Sequence, residues 1–267
     1  MRVGTCAVCA VVMGVSGSAM GTDLTFTIDG IGNFGNIPQD YGDRVTMLDE
    51  GSFHYGEHGE GFTPNVEVSY TTSAGQDPSW WGTGYGDLVG IYFENTDGNG
   101  SGEIVLTADF GYEVVLYGFD MSAYGPVFSG DPVIDAVRVR GCSSAPLFEE
   151  LDASISETTR TSYDFSTEPI RAREIRIQFE SGNLGGLSDD IAIDNIVFGQ
   201  VAVSGEEIAC PADFAIPVCV LDFFDISEFL MRLTAQDPSA DFSGDGQFDF
   251  FDISAFLSAY EQGCQED

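Results

Sequence analysis

The chain has 267 residues, which is enough for one substantial hydrophobic core and a smaller second unit. Nine basic residues stand against 44 acidic ones, so the formal net charge is −35 at pH 7. This charge repels the phosphates of nucleic acids and anionic lipid surfaces, and we expect no nucleic-acid partner.

The first 21 residues have the pattern of an export signal. Arg2 supplies a positive start, residues 3–15 are apolar or small, and small residues at 17–21 suit a cleavage site. The apolar run is too short for a convincing membrane span, and no later stretch approaches the roughly 18 apolar residues that one requires. The sequence therefore predicts a secreted or cell-surface protein whose mature chain has no membrane span.

Residues 22–203 form a β domain in this reading. Short runs in which apolar and polar residues alternate are separated by turns rich in Gly, Asn and Asp. The runs lie at 24–28, 44–48, 66–70, 88–93, 103–110, 112–121, 135–141, 160–165, 174–179 and 190–199. About ten strands at this spacing predict an antiparallel β-sandwich, most simply a jelly roll.

One stretch of the β domain is rich in aromatic residues. The sequence PSWWGTGYGD at 78–87 places Trp80, Trp81 and Tyr85 among glycines and predicts a loop. Aromatic faces stack on the C–H faces of sugar rings, so these three residues are candidates for binding an extracellular glycan. The alternative is that both Trp side chains fold over the end of the sandwich as a hydrophobic plug.

The β domain also offers carboxylates for catalysis. A glycoside hydrolase needs two of them across a cleft, and the candidates in or beside strands are Glu94, Glu103, Glu113, Glu174 and Glu180. With so many acids such a pair is expected by chance, and the sequence shows no nucleophile elbow, phosphate loop or metalloprotease helix. His54 and His58 could hold zinc on one helix face, but the glycines around them favour a surface loop.

The end of the β domain carries a weak resemblance. The run SDDIAIDNIVFGQ at 188–200 resembles the closing strand of secreted jelly-roll modules with sugar-binding or adhesive functions. The resemblance implies Asp190 and Asp194 as possible ligands of a structural calcium ion. Carboxylates that simply face solvent are the alternative.

After a linker at 204–209, residues 210–267 form a second domain that repeats itself. ADFAIPVCVLDFFDISEFL at 212–230 aligns with ADFSGDGQFDFFDISAFL at 240–257, and DFFDIS is identical in both copies. Apolar residues then recur with helical spacing, at Ile226, Phe229, Leu230 and Leu233 and at Ile253, Phe256, Leu257 and Tyr260. Two short helices whose apolar stripes face each other would bury both stripes.

The second copy contains the ligand spacing of an EF-hand calcium loop, DFSGDGQFDFFD at 241–252. Calcium takes roughly six to eight oxygen ligands from a flexible loop, and Gly246 stands at the sharp turn. The predicted ligands are the side chains of Asp241, Ser243, Asp245, Asp249 and Asp252 and the carbonyl of Gln247. Ca²⁺ is therefore the predicted cofactor.

This tandem arrangement resembles the type I dockerin, the calcium-dependent module that docks secreted glycan-degrading proteins onto cohesin domains. The resemblance implies a small pair of EF-hand-like helices and a cohesin-like or cell-surface protein as partner. The first copy departs from the pattern, because its loop is one residue longer and carries Ala215 and Pro217 near ligand positions. It leaves Asp213, Asp222 and Asp225 as a possible second metal site, with a metal-free structural copy as the alternative.

The positions that dockerins use to contact cohesin carry Phe223-Phe224 and Phe250-Phe251 here. These side chains belong either to the core or to a docking surface.

Four cysteines remain once the export signal is removed. Cys210 before the first loop and Cys264 after the second helix predict a disulfide that joins the ends of the module. Cys142 and Cys219 could tie the sandwich to the module, but the sequence leaves their pairing open.

Together these patterns predict a secreted, calcium-binding and noncatalytic protein that binds a glycan or a protein and serves in adhesion or docking. The alternative is an extracellular glycoside hydrolase or lyase with paired acids on the sandwich face, and a third hypothesis is a structural component of a surface layer.

Overall fold

The computed structural model describes residues 21–28, 30–46, 61–72, 78–92, 101–203 and 210–264. Residues 1–20 of the predicted export signal, His54, His58, Glu94 and the predicted linker lie outside these ranges. None of the helices in the described ranges is long and apolar enough to cross a membrane.

Thirteen strands, two α-helices and two short 3₁₀ turns make up the described chain. The strands are β1 (Thr22–Leu24), β2 (Gly35–Asn36), β3 (Val66–Thr72), β4 (Ser79–Tyr85), β5 (Leu88–Tyr92), β6 (Ser101–Ala108), β7 (Tyr112–Ala123), β8 (Val133–Arg140), β9 (Pro146–Ser154), β10 (Thr161–Asp164), β11 (Ile170–Ala172), β12 (Glu174–Glu180) and β13 (Ile191–Ala202). The helices are α1 (Phe223–Ala235) and α2 (Phe250–Gln262), and the 3₁₀ turns span Gly182–Leu187 and Pro238–Ala240.

The strands form two sheets in which every pairing is antiparallel. The first has the order β10-β7-β13-β5-β4-β2, with β1 added on β13 and β11 on β7, and the second has the order β3-β6-β12-β8-β9. Fully buried side chains of both sheets, such as Leu116 and Ile193 of the first and Leu106 and Ile177 of the second, belong to one core cluster. The predicted mainly β, antiparallel fold is confirmed, and the finer jelly-roll assignment stays a prediction.

Alternation along β12 shows how the sequence positions this core. Ile175, Ile177 and Phe179 are buried, while Arg176 and Gln178 lie on the outer face, as the period-two pattern predicts. Glu174, also predicted to face outward, is buried and accepts a hydrogen bond from Arg176 Nε at 2.7 Å. Buried charges are tolerated when they are paired in this way.

The stretch 78–87, predicted as a loop, contains strand β4. Its glycines are compatible with a strand because aromatic rings occupy the space beside them. A Cβ atom on Gly82 would lie 2.7 Å from the Trp80 ring, and one on Gly84 would lie 2.4 Å from the Tyr124 ring. The prediction of a loop was therefore wrong, because Gly82 and Gly84 lie within a strand and leave room for neighbouring aromatic rings.

The C-terminal helices pack as the repeated pattern predicts, with one correction. Phe229 of α1 and Phe256 of α2 are buried, and their rings stack in parallel with centroids 4.0 Å apart. Leu230 and Leu257, which were assigned to the apolar stripes, are exposed. The contact between the helices is narrower than the sequence implies, because it centres on the Phe229 and Phe256 rings and leaves the next residue of each helix in solvent.

Candidate functional site

The second loop of the C-terminal module folds around its own first and last carboxylates. Asp241 accepts hydrogen bonds from the N–H groups of Gly244 and Gly246, both at 2.9 Å. Asp252 is buried and accepts from the N–H groups of Ser243 and Asp249, at 3.0 and 2.8 Å. Gly246 adopts a φ of +77°, which is the sharp turn expected at the sixth position.

The donor set of this loop suits a hard cation. All predicted ligands are oxygens, and Ser243 Oγ lies 3.4 Å from Asp241 Oδ1. Desolvation raises the pKa of Asp252, but the hydrogen bonds from the N–H groups of Ser243 and Asp249 outweigh it, so the pKa lies below its ordinary value. Asp252 is therefore ionised at neutral pH, as a calcium ligand must be.

The carboxylates of this loop are nevertheless not drawn together into a compact cluster. Asp245 accepts from the N–H of Gln247, and Asp249 accepts from the N–H of Phe251 as the N-cap of α2. Among the described residues, the ligand atoms of three acidic, Cys or His side chains lie within 4.8 Å of one another only at Cys210, Asp213 and Cys264. Those two cysteines form a disulfide and cannot ligate as thiolates. The predicted ligands of the second loop do not form such a cluster, so the six-ligand calcium assignment stays a prediction.

The first loop has the same backbone arrangement as the second. Asp213 accepts from the N–H of Cys219 at 2.7 Å, as Asp241 does from Gly246, and Cys219 has a φ of +72°. Asp225 accepts from the N–H groups of Phe214, Ala215 and Asp222. The two loops are therefore close structural copies although the first is one residue longer.

A guanidinium from the sandwich supplies the positive charge of the first loop. Arg173 Nη1 lies 3.2 Å from Asp213 Oδ1 and donates to the Asp213 carbonyl oxygen. Burial lowers the pKa of Arg173 and raises the pKa of Asp213, and the opposite charge of each group partly offsets the effect of burial on the other. The possible second metal site is thus not assembled here: Asp213 is paired with Arg173, and Asp222 and Asp225 accept hydrogen bonds from the backbone at the start of α1.

The first loop is also the point where the module joins the sandwich. A disulfide links Cys142, after β8, to Cys219 in the loop, and the rings of Phe110 and Phe214 stack with centroids 4.1 Å apart. Arg173 lies over the Phe110 ring, 5.5 Å from its centroid. The Cys210–Cys264 disulfide predicted from the sequence is present and closes the module.

Two pairs of Phe side chains project from the module into solvent. The exposed fractions are 71% for Phe223, 62% for Phe224, 71% for Phe250 and 65% for Phe251. They are not core residues, which removes the alternative that the sequence left open. Each pair occupies the first turn of its helix, within the last positions of an EF-hand-like loop.

The three candidate glycan-binding residues have different environments. Trp80 packs against the sandwich core and its Nε1 donates to the Phe26 carbonyl at 2.7 Å. Tyr85 is buried beside Leu88, so its ring cannot serve as an open stacking face, and this part of the assignment is wrong. Trp81 is partly exposed, as Trp80 is, and packs beside other aromatic rings outside the main core.

A residue that the sequence did not single out completes this aromatic surface. Phe34 is 66% exposed and its ring lies edge-on to Trp81, with centroids 4.6 Å apart. Tyr124 meets Trp81 from another side, at 5.7 Å. Phe34 lies far from the tryptophans in sequence, and only the β2–β4 pairing brings it there, so no local pattern could have found it.

Two of the candidate catalytic acids line a groove, and both also form ion pairs. Glu103 and Glu180 line a groove of about 250 Å³ on the second sheet, together with hydroxyl groups of β3 and β6. Glu103 pairs with Arg176 at 3.1 Å and Glu180 with Arg138 at 2.5 Å. Neither Trp residue lines this groove, since both belong to the other sheet.

Asp194 is buried and Asp190 is half-buried beside the start of β13. Burial raises the pKa of Asp194 to about 8 and that of Asp190 to about 6. A bound cation would favour the ionised form of both carboxyl groups. The calcium site that the closing-strand resemblance implied therefore stays a prediction.

Comparison with known proteins adds little to this description. No protein-family profile matches the chain, and no curated protein matches it. Among solved structures, the chain is similar to the family 32 CBM from C. perfringens NanJ in complex with galactose, at 14% identity and a TM-score of 0.27, over 51% of this chain and 93% of that one. A structure of the CBM32-1, CBM32-2 and M60 catalytic domains of Clostridium perfringens ZmpB matches at 11% identity and a TM-score of 0.22, over 76% of this chain and 20% of that one.

Proposed function

We propose that this is a secreted, noncatalytic binding protein that docks onto another protein through its C-terminal module, with Ca²⁺ as a structural ion of the second loop. The observation that carries the proposal is the pair of exposed Phe dipeptides at equivalent positions of the two copies. Four large aromatic side chains left in solvent on one small module are typical of an interaction surface.

The loops hold the backbone that carries these aromatic side chains. Phe250 and Phe251 begin α2 directly after Asp249, which caps the helix and is a predicted calcium ligand. Phe223 and Phe224 begin α1 after the loop that Arg173 and the Cys142–Cys219 disulfide hold. A surface held rigid before binding loses less conformational entropy on association.

The partner that we propose is a cohesin-like domain with an apolar surface, as the dockerin resemblance implies. An apolar partner suits this module because aromatic side chains can bury well against it, whereas an anionic partner would be repelled by the net charge of −35. The two disulfides and the predicted export signal support an extracellular location.

The hydrolase or lyase alternative has less support. It requires two carboxylates across a groove with aromatic side chains to hold a sugar, but Glu103 and Glu180 lie on one sheet and Trp80 and Trp81 on the other. In the described residues, both carboxylates of the groove are engaged by arginines. A binding function requires no such catalytic geometry.

The test is binding of the full chain to immobilised type I cohesin domains in calcium, measured by surface plasmon resonance. We expect the double variant Phe223→Ala and Phe250→Ala to lose at least about tenfold in affinity, because large buried aromatic side chains dominate such interfaces. Phe34→Ala, an equally exposed aromatic residue on the sandwich, is the matched control and should bind like the original chain. Absence of binding to every cohesin tested, or equal binding by the double variant, would contradict the proposal.

A further inference from the structure

We infer that the aromatic surface formed by Phe34, Trp81 and Tyr124 is a binding site for a neutral glycan. The inference goes beyond the proposed docking function, because it concerns the sandwich and not the C-terminal module. Of the residues predicted from the sequence it keeps only Trp81, whose ring meets those of Phe34 and Tyr124 edge to face.

The surface lies on the outer face of the first sheet. Adjacent residues of a strand point to opposite faces, and Trp80 packs into the main core. Trp81 therefore points outward, where it packs with Tyr85 and Tyr124 in a separate cluster. Phe34 stands on the solvent side of this cluster, nearly perpendicular to the Trp81 ring at 85°.

The backbone fixes Phe34 in this position. Its N–H donates to the Trp80 carbonyl at 3.0 Å, and its φ is +68°, a left-handed conformation that residues with a Cβ seldom adopt. Next to it, Asn33 Oδ1 accepts from the N–H of Gly82 at 2.9 Å and holds the turn against β4. A strained backbone that presents an exposed ring is the kind of local feature found at binding sites.

The chemistry around the rings favours an uncharged sugar. A pyranose ring has an apolar C–H face that suits an aromatic ring and hydroxyl groups that suit amides and hydroxyls. Asn33 and Thr83 are exposed beside the rings and can hydrogen-bond such hydroxyls. The nearby carboxylate of Asp87 is paired with Arg160 at 2.7 Å, and the net charge of −35 opposes an anionic polysaccharide.

The test uses the full chain and an array of neutral oligosaccharides built from glucose, galactose, mannose and xylose, with hyaluronan and alginate fragments as anionic probes. We expect binding to at least one neutral probe and none to the anionic ones. For the neutral probe that binds, Phe34→Ala should lower the affinity about tenfold, since one stacking ring is lost. Phe34→Tyr should retain binding because it keeps the ring.

Phe223→Ala is the matched control, because it removes an equally exposed ring from the module and should leave glycan binding unchanged. Circular dichroism checks that Phe34→Ala stays folded, as expected for an exposed side chain. Binding of no neutral probe, preference for the anionic probes, or unchanged affinity in Phe34→Ala overturns the inference. The two proposals can fail independently of each other. Phe34→Ala should keep cohesin binding, and the double variant Phe223→Ala and Phe250→Ala should keep glycan binding.

Discussion

The two loops of the C-terminal module share a pattern of hydrogen bonds but differ in the side chains around it. Both wrap backbone N–H groups around an aspartate at the first position and a buried aspartate at the start of a helix. In the first loop the guanidinium of Arg173 meets Asp213, and a disulfide holds the turn residue Cys219. The second loop keeps oxygen ligands at every position that an EF-hand requires and has Gly246 at the turn.

The same pattern of hydrogen bonds therefore forms around different side chains. In the first loop the sandwich supplies an arginine that pairs with Asp213 and a disulfide that holds the turn residue Cys219 at a positive φ. These two contacts fix the first loop to the sandwich. We propose that the second loop takes its positive charge from Ca²⁺, so we expect the stability of that half of the module to depend on the calcium concentration.

Loss of Arg173 should have the largest effect on stability, and it should act on the first loop. We expect Arg173→Ala to lower the free energy of unfolding by about 3 to 5 kcal/mol, because it leaves the buried Asp213 carboxylate without its partner. Urea denaturation measures the change. Arg160→Ala is the control: it removes two ion pairs where Arg173→Ala removes one, but the Arg160 side chain is 40% exposed and the loss should be about 1 kcal/mol or less. Equal losses in both variants would show that Arg173 has no special role.

Removal of the Cys142–Cys219 disulfide, the joining disulfide between sandwich and module, should have the next largest effect on stability. Cys142→Ser with Cys219→Ser should lower the free energy of unfolding by about 2 to 4 kcal/mol, because it frees a segment of 77 residues in the unfolded chain. Calcium affinity of the second loop should change by less than about twofold, since separate sites act almost additively. A variant that loses calcium binding as well would mean that the two loops are not independent.

The sequence predicted features that depend on local pattern. The strand alternation in β12, the two helices and the Cys210–Cys264 disulfide all follow from spacing along the chain. It missed β9, whose exposed Leu147 and Leu151 do not alternate with buried residues in the usual way at the edge of a sheet.

Features that depend on tertiary contacts were beyond the sequence. Nothing in the residues around Arg173 indicates that its side chain enters a loop 40 positions later. The same holds for Phe34, which meets Trp81 only through the pairing of β2 with β4. For the Phe pairs the sequence left burial open, because an apolar dipeptide at a helix start fits both a core and a docking surface.

Calcium should act on the second loop alone. We expect calorimetric titration of the full chain to show one ion per molecule, and calcium at 100 times its Kd to raise the free energy of unfolding by about 2.7 kcal/mol. Asp241→Ala with Asp245→Ala should abolish the heat. Asp222→Ser, which keeps a capping side chain in the first loop, should leave it unchanged. Two bound ions, or no heat together with unchanged stability in chelator, would contradict the assignment.

The smallest effects concern the residue at the turn of each loop. It is Gly246 in the second loop and Cys219 in the first, with φ angles of +77° and +72°. Gly246→Ala should lower the free energy of unfolding in chelator by about 1 kcal/mol, because alanine is strained at a φ of +77° while its Cβ would meet no atom within 4 Å.

The first loop allows the reciprocal experiment. In chains that lack the joining disulfide, Cys142→Ser with Cys219→Gly should be about 1 kcal/mol more stable than Cys142→Ser with Cys219→Ser, because glycine relieves the strain that a Cβ causes at a φ of +72°. Urea denaturation of the two double variants measures this difference directly. If the glycine variant is the less stable one, the turn of the first loop changes its conformation once the disulfide is gone. The Cys142–Cys219 disulfide would then impose the positive φ at this turn, whereas the second loop adopts it without a disulfide.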